Sequence, residues 1–265
     1  MHPILFKLAG YEIRSYTFFT ITALLVVLFG TYFFAIRRNF EKTNITLILV
    51  IMTMSAFIGA RLLHLITNWS LYEKQPWRLY SFDLIGFAIY GGILGAVVSG
   101  IVLSRILKFN LWRLGDTAIP FVGLGIVTMR IGCYLNGCCF GKETSLPWGV
   151  TFPFFSYAHS YQISRDIENI WSVSPVHPTQ LYELTYTLIG TIIAFAIIRK
   201  KLSDGIAILG FGFLYTSFRL FNYYFRVPPT TFEASPLFYP IIYCCMLLII
   251  GVILYKKINY ELKKG

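Results

Sequence analysis

Seven long apolar runs constrain this chain more than any other feature. Each has about 20 residues, and a helix that rises about 1.5 Å per residue then covers the roughly 30 Å of a bilayer's hydrocarbon core. With 56% hydrophobic and 13% charged residues, the composition also excludes a water-soluble globule. We predict an all-α polytopic membrane protein with seven transmembrane helices in a single transmembrane domain, 1–265. The runs lie at approximately 16–36, 45–66, 82–104, 112–135, 179–198, 205–225 and 236–255.

The distribution of basic residues predicts the orientation. Thirteen of the 23 Lys and Arg residues fall in loops on one side of the predicted spans, seven fall on the other side, and three lie inside spans. Loops rich in Lys and Arg stay cytoplasmic, so we expect the N-terminus outside and the C-terminus inside. The first run lacks a charged lead and a small-residue cleavage site, which favours an anchor over a removable signal. The net charge of +11 then faces anionic lipid, and we predict no nucleic-acid partner.

The segment 140–177 is much longer than the other outward loops. It contains Pro147, Trp148, Pro153 and Pro175 among scattered aromatic residues. Long loops are more often lids or binding loops than spacers. We predict a small extracytoplasmic cap, with a merely ordered connection as the alternative.

Arginines within apolar spans predict an anion-binding layer near the outer membrane face. A charged residue at mid-bilayer costs roughly 2.5–3.5 kcal/mol, and the carboxylates of this layer are too few to pair with every guanidinium. A phosphate fits the remaining charge, because guanidinium groups donate paired, planar N–H groups to its oxygens. The alternative is that these arginines bond backbone carbonyls or reach the interface. The arginines are Arg61, Arg130 and Arg219 within spans, with Arg226 directly after the sixth span, and the carboxylates are Asp83 and Glu183.

Small residues indicate where helices approach closely. Gly91 and Gly95, continued by Ser99, form a small-xxx-small pattern in the third span, which is typical of tight helix contacts in membranes. Further glycines on the fourth span predict that spans three and four touch.

The densest polar string is RIGCYLNGCCFG, from Arg130 to Gly141. Together with segments that occur before and after it, this string resembles the prolipoprotein diacylglyceryl transferase family, in the same order across most of the chain. The other matching segments are Tyr16, Gly59-Ala60-Arg61, Tyr90-Gly91-Gly92, Lys142, Leu146-Pro147-Trp148-Gly149, His177-Pro178-Thr179-Gln180-Leu181-Tyr182-Glu183 and Arg219 to Arg226-Val227-Pro228.

The resemblance implies an enzyme of the bacterial plasma membrane with its active site on the extracytoplasmic side. It would move a diacylglyceryl group from phosphatidylglycerol, or a similar anionic phospholipid, to the thiol of a lipobox cysteine in a prolipoprotein, leaving glycerol phosphate. The family's phosphate-holding arginine corresponds to Arg130 and a second essential arginine to Arg219. Tyr16, Gly141 and Arg226 also match family positions. We add Arg61 and Asn136 from the same layer to the substrate-binding candidates and expect a monomer.

The chain departs from the family at four positions. Tyr90 stands where the family has His, Cys133 replaces Asn, Cys138 replaces Glu, and Tyr223 replaces an acidic residue. The phosphate-binding arginines are thus retained while the acid–base groups change. A related transferase with another acceptor, or a phospholipid-binding protein without turnover, remains an alternative.

The transfer needs a base for the acceptor thiol, and His177 is the first candidate because His titrates near working pH. His64 is the second, and either His could instead be a satisfied helix-end residue. Tyr90, Cys138 and Cys139 complete the catalytic candidates.

The three cysteines near the end of the fourth span allow three interpretations. Cys133 could form a disulfide with Cys138 or Cys139 in an oxidising compartment, or a thiolate could accept and pass on a group. Zinc is the least favoured, because C-x4-C-C is not a usual ligand spacing. We therefore predict no metal and no cofactor, and we expect Cys244 and Cys245 to serve in apolar packing.

Overall fold

Each of the seven apolar runs overlaps a helix in the computed structural model, which describes residues 2–8, 11–80, 87–154, 156–165, 173–227 and 237–264. The chain divides into two compact units, one of Met1–Gly30 with Ala118–Gly265 and the other of Thr31–Thr117. The elements are β1 (Ile4–Leu8), β2 (Tyr11–Arg14), α1 (Ser15–Arg37), α2 (Lys42–Thr67), α3 (Trp69–Lys74), a 3-10 turn (Pro76–Tyr80), α4 (Ile89–Ile106), α5 (Leu111–Asn136), α6 (Tyr157–Arg165), α7 (Thr179–Arg199), α8 (Ile206–Tyr223) and α9 (Phe238–Lys264).

The prediction of a helical membrane protein is confirmed. Five helices, α1, α2, α5, α7 and α9, are long and apolar enough to cross a membrane, and α4 is a shorter apolar helix. The sixth run forms the 18-residue α8. The start of the third run, 82–86, lies outside the described residues. The number of spans and their orientation stay predictions.

An antiparallel hairpin of β1 and β2 precedes the first helix and was not predicted. Ile4 and Phe6 of β1 are 37% and 46% exposed, and the ring of Phe6 makes an edge-to-face contact with Phe18 of α1, with 6.3 Å between the ring centroids. The exposed pair Lys7–Glu12, with 2.8 Å between Nζ and Oε1, joins the two strands.

In the unit Thr31–Thr117, the glycine face of α4 packs against α2. A Cβ at Gly91 would overlap the carbonyl oxygen of Gly59, and a Cβ at Gly95 would overlap that of Ser55. The predicted glycine contact is thus real, but its partner is α2 and not α5, because α2 presents a matching row of small residues. The other end of α4 does meet α5, since a Cβ at Gly100 would lie 3.5 Å from Leu111 Cδ1.

In the unit of Met1–Gly30 with Ala118–Gly265, α7 carries a polar stripe on its buried side. Thr179, Glu183, Thr187 and Thr191 recur every four residues and are about 1% exposed. On the opposite side Ile189 and Ile192 are 48% and 60% exposed. Apolar residues outside and polar residues inside are expected of a helix whose outer surface faces lipid.

Glycines let α5 approach its neighbours in this unit. A Cβ at Gly123 would overlap Thr191 Oγ1 of α7, and one at Gly132 would lie 2.6 Å from Phe19 Cβ of α1. These contacts hold the C-terminal end of α5, with Arg130 and Cys133, beside the first turns of α7.

The segment 140–177 has its own small hydrophobic core. Phe140, Phe152, Ala158 and Val176 are buried together, and the backbone of Val150 exchanges hydrogen bonds with that of Val176 in both directions at 3.0 Å. The described part of the predicted cap is therefore an ordered, packed segment.

Candidate functional site

Glu183 is the centre of a buried ion-pair cluster. Its Oε1 accepts hydrogen bonds from Arg130 Nη2 at 2.7 Å and from the Tyr215 hydroxyl at 2.8 Å. Its Oε2 accepts one from Arg219 Nη1 at 2.7 Å, and Arg226 Nη1 lies 3.8 Å from the same oxygen. The carboxylate is 1% exposed, whereas the arginine side chains are 8%, 20% and 19% exposed. Residues from α5, α7, α8 and the segment after α8 thus meet at one carboxylate.

The cluster carries an excess of positive charge. Over these four side chains, three guanidiniums face one carboxylate, which gives a formal charge of +2. Removing charged groups from water is costly unless they are paired. The cluster therefore favours an anionic ligand, as the sequence predicts for this layer.

Five buried polar atoms on the same elements have no hydrogen-bond partner among the described residues. They are Arg130 Nε, Gln180 Oε1, the Tyr186 hydroxyl, Thr187 Oγ1 and Asn222 Oδ1. Leaving a buried donor or acceptor unpaired costs about 1–3 kcal/mol, so such atoms usually face a polar ligand or water. Both kinds of atom occur here, which suits a ligand with phosphate oxygens and hydroxyl groups.

A tight turn after α5 brings three thiols together. Gly137 and Cys139 have φ of 70° and 62°, and the amide of Cys138 donates to the carbonyl of Cys133 at 3.1 Å. The Sγ atoms of Cys133, Cys138 and Cys139 lie within 4.8 Å of one another, and all three are free thiols.

Arginine adjoins this thiol group. Arg130 Nη1 lies 3.7 Å from Cys133 Sγ. Hydrogen bonds from the thiols of Cys133 and Cys138, aided by the charges of Arg226 and Arg130, hold the pKa of Cys139 well below its usual range although burial opposes this. The turn therefore places a thiol with a lowered pKa next to the ion-pair cluster.

His177 lies at the entry to α7 and is also buried. Its Nδ1 is 3.1 Å from the Tyr182 hydroxyl, which accepts a hydrogen bond from Trp148 Nε1 at 2.8 Å. Burial lowers the pKa of His177, so the ring is neutral at neutral pH and can accept a proton.

Gly141 has a positioning role. Its amide donates to the carbonyl of His177 at 2.9 Å, and the next amide, of Lys142, donates to the carbonyl of Phe225 at 2.7 Å. A Cβ at Gly141 would lie 2.6 Å from both the Phe225 oxygen and His177 Cβ. Only glycine lets this strand pass between the segments that carry His177 and Arg226.

The remaining predicted residues fall into two groups. Tyr16 on α1 is within electrostatic range of Arg130 and the three thiols, and the Asn136 side chain hydrogen-bonds Cys138. Arg61 and Tyr90 lie in the other unit. Of the residues weighed in the sequence, Asp83 and Pro228 lie outside the described residues.

Arg61 binds backbone carbonyls, which is the alternative to anion binding that the sequence left open. It donates to the backbone carbonyls of Arg78 and Leu79, and its guanidinium lies over the rings of Tyr72 and Phe87 at 5.5 and 5.3 Å. Tyr90 is 49% exposed, and His64 Nδ1 is 2.7 Å from the Tyr72 hydroxyl.

Three residues that build the site were not among the predicted site residues, although Thr179 and Gln180 lie in a segment that resembles the family. Tyr215 bonds Glu183, while Gln180 Nε2 and Thr179 Oγ1 donate to the carbonyls of Cys138 and Cys139, each at 2.7 Å. For Thr179 and Gln180, the polar stripe of α7 is the feature of the sequence that could have indicated a role. Hydroxyl and amide groups repeated at helical spacing within an apolar span indicate a face that points into the protein.

The sequence is similar to that of one family of known proteins. The family model described as prolipoprotein diacylglyceryl transferase matches residues 3–256. Three relatives are named phosphatidylglycerol–prolipoprotein diacylglyceryl transferase. The one from Dehalococcoides mccartyi is 29% identical over 227 residues, 85% of this chain and 82% of the relative. The one from Listeria monocytogenes is 25% identical over 261 residues, 98% and 91%, and the one from Clostridium novyi is 30% identical over 205 residues, 77% and 76%.

Proposed function

The chain belongs to the prolipoprotein diacylglyceryl transferase family, and on that premise we propose that it is a phosphatidylglycerol-dependent enzyme of lipoprotein maturation in the bacterial plasma membrane. It transfers the diacylglyceryl group of phosphatidylglycerol to the thiol of a prolipoprotein's lipobox cysteine. The second product is glycerol phosphate.

The reaction is a substitution at carbon. The acceptor thiol loses its proton, and the thiolate sulfur attacks the diacylglyceryl carbon that carries the phosphate oxygen. As the carbon–sulfur bond forms, the carbon–oxygen bond breaks and its electron pair stays on the phosphate. A phosphodiester with one negative charge thereby becomes a phosphomonoester with two.

The charge of the Glu183 cluster is the observation that carries this proposal. The formal +2 of Arg130, Arg219, Arg226 and Glu183 exceeds the single charge of the bound lipid and equals that of the leaving group. Interactions that strengthen as the reaction proceeds lower its barrier, and one such donor contributes about 2.7–4 kcal/mol. The arginines therefore stabilise the departing phosphate more than the lipid.

Glu183 fixes the arginines for this task. Each of Arg130 and Arg219 gives one terminal N–H group to the carboxylate at 2.7 Å, and a guanidinium has five such donors. The rest of each planar group remains for phosphate oxygens. The carboxylate thus orients two cations that would otherwise repel each other.

His177 is the proposed base. Its ring is neutral because burial lowers the pKa of His177, and Tyr182 orients it through Nδ1. Tyr90, Cys138 and Cys139 stay as further catalytic candidates, with Tyr16 and Asn136 as lipid or peptide contacts.

The proposal includes a topology. Seven spans place the N-terminus outside, the C-terminus in the cytoplasm, and the Glu183 cluster toward the extracytoplasmic side, where the lipobox peptide arrives. The cap 140–177 would cover this side, and the chain would act as a monomer. The basic loops predicted from the sequence support this orientation.

A transfer assay tests the function. Purified protein receives phosphatidylglycerol labelled in the diacylglyceryl group and, separately, in the headgroup glycerol, with a lipobox peptide as acceptor. We expect labelled peptide and glycerol phosphate in equal amounts, none with a peptide whose lipobox cysteine is serine, and none with Arg130→Ala. Lipid binding without either product would refute the transferase and favour a phospholipid-binding protein.

A further inference from the structure

The thiols of Cys133, Cys138 and Cys139 form a group whose geometry approaches that of a metal site. Their Sγ atoms lie within 4.8 Å of one another. At a zinc–sulfur distance of about 2.3 Å and tetrahedral angles, ligand sulfurs lie about 3.8 Å apart. Closing by about 1 Å, within reach of side-chain rotation, would bring all three sulfurs around one ion.

The turn that carries these thiols is held in place by buried groups of α7. Cys139 has a left-handed φ of 62°, a backbone conformation that L-residues rarely adopt. The carbonyls of Cys138 and Cys139 each accept a hydrogen bond at 2.7 Å, from Gln180 and Thr179, both about 1% exposed. The side chains of α7 thus hold the strained turn in place. The turn in its left-handed conformation brings the thiols of Cys138 and Cys139 close to the thiol of Cys133.

We propose that Cys133, Cys138 and Cys139 bind a zinc ion. Soft thiolates select zinc over hard cations. The C-x4-C-C spacing is unusual for a zinc site whose ligands lie in a regular loop. Here the left-handed backbone of Cys139 brings its sulfur within 4.8 Å of the sulfurs of Cys133 and Cys138. The described group contains only cysteine ligands.

Charge favours this occupant over a disulfide. A zinc ion with three thiolates carries a formal −1, because three protons leave on binding, and the neighbouring guanidinium of Arg130 lies 3.7 Å from Cys133 Sγ. The anionic zinc–thiolate group would therefore be a favourable neighbour for the excess positive charge of the Glu183 cluster. A disulfide between two of the cysteines would leave the excess positive charge unchanged and the third cysteine as a free thiol.

Three protein ligands leave one coordination position open, which is typical of zinc that binds a reactant and not of a closed structural site. Resting on the proposed function, we assign that open position to the thiolate of the incoming lipobox cysteine. Zinc would then hold the nucleophile beside the arginines that hold the leaving phosphate.

Metal binding is measured directly on the full chain. The protein is purified in detergent with a thiol reductant and without chelator, its zinc is counted by mass spectrometry, and cobalt(II) serves as the spectroscopic probe. We expect about one zinc per chain and intense sulfur-to-cobalt absorption that zinc abolishes. Cys139→Ser should weaken the affinity at least about tenfold, and Cys133→Ser/Cys138→Ser/Cys139→Ser should bind none.

The matched control is Cys244→Ser/Cys245→Ser, which removes the two exposed thiols of α9 and should leave zinc binding unchanged. Tryptophan fluorescence and the melting temperature show whether each variant is folded. Equal zinc in the folded wild type and the folded Cys139→Ser variant would overturn the proposal. So would a disulfide between two of the three cysteines in protein isolated without reductant. Because these readouts do not involve lipid, they are independent of the transfer assay.

Discussion

Glu183→Gln should destabilise the protein and make its stability depend strongly on anionic lipid. The substitution keeps the side chain's shape but removes the charge shared by Arg130 and Arg219, each 2.7 Å from it. The formal charge of the cluster then rises from +2 to +3. Removing one partner of a buried ion pair costs about 3–5 kcal/mol, and an anionic headgroup that reaches the arginines should restore part of that loss.

Unfolding by SDS in mixed micelles, followed by tryptophan fluorescence, measures this effect. We expect the variant to lose about 3–5 kcal/mol in micelles with zwitterionic lipid and to recover more than wild type does when phosphatidylglycerol is added. Transfer activity should fall about 100-fold or more, because the arginines lose their fixed positions.

Glu12→Gln is the control, since Glu12 forms an exposed pair with Lys7 at 2.8 Å and exposed pairs contribute little. It should change neither stability nor activity measurably. Two results would refute the conclusion that the buried arginines have too few anionic partners. One is that Glu183→Gln is as stable as wild type in zwitterionic micelles. The other is that phosphatidylglycerol raises the stability of the variant no more than that of wild type.

Three further predictions follow from the site. Arg219→Lys keeps the charge but loses the planar donors, so kcat/KM for phosphatidylglycerol should fall about tenfold or more, and Arg219→Ala should lose about 100-fold to 1000-fold; steady-state kinetics measure both. Gly141→Ala places a Cβ 2.6 Å from a carbonyl oxygen and should cost at least about 1–3 kcal/mol in SDS unfolding, whereas Gly210→Ala, whose Cβ would make an ordinary 3.5 Å contact, should be tolerated. Burial lowers the pKa of His177, so kcat/KM should fall when the pH is low enough to protonate the ring. Protonation of the buried ring also disfavours the folded state, so the free energy of unfolding should fall as the pH falls. In His177→Gln, kcat/KM should no longer show this dependence on acidic pH.

Much of the site could be predicted from single residues. The arginines within apolar spans, and the shortage of carboxylates to match them, are visible without a structure because charge in a hydrocarbon layer is costly wherever it occurs. Arg130, Arg219 and Glu183 do meet, and Arg226 lies next to them. The same reasoning placed Arg61 in this layer, but carbonyl oxygens of its own unit accept its hydrogen bonds, and only the folded backbone places those oxygens there.

Other parts depend on contacts between distant segments. The glycine face of α4 was recognisable, yet its partner was not, because small residues occur on α2 and α5 alike. The roles of Thr179 and Gln180 were hidden because they bond backbone carbonyls some 40 positions earlier in the chain.

The sequence alone determined that this chain forms apolar helices for a membrane and carries more buried positive than negative charge, since hydrophobicity and formal charge belong to each residue before any folding. The tertiary structure decided that one carboxylate orients two arginines and that three cysteines of awkward spacing meet at one point. Both arrangements rest on helix packing and on a left-handed turn held by another helix, and such geometry arises only when distant segments are brought together.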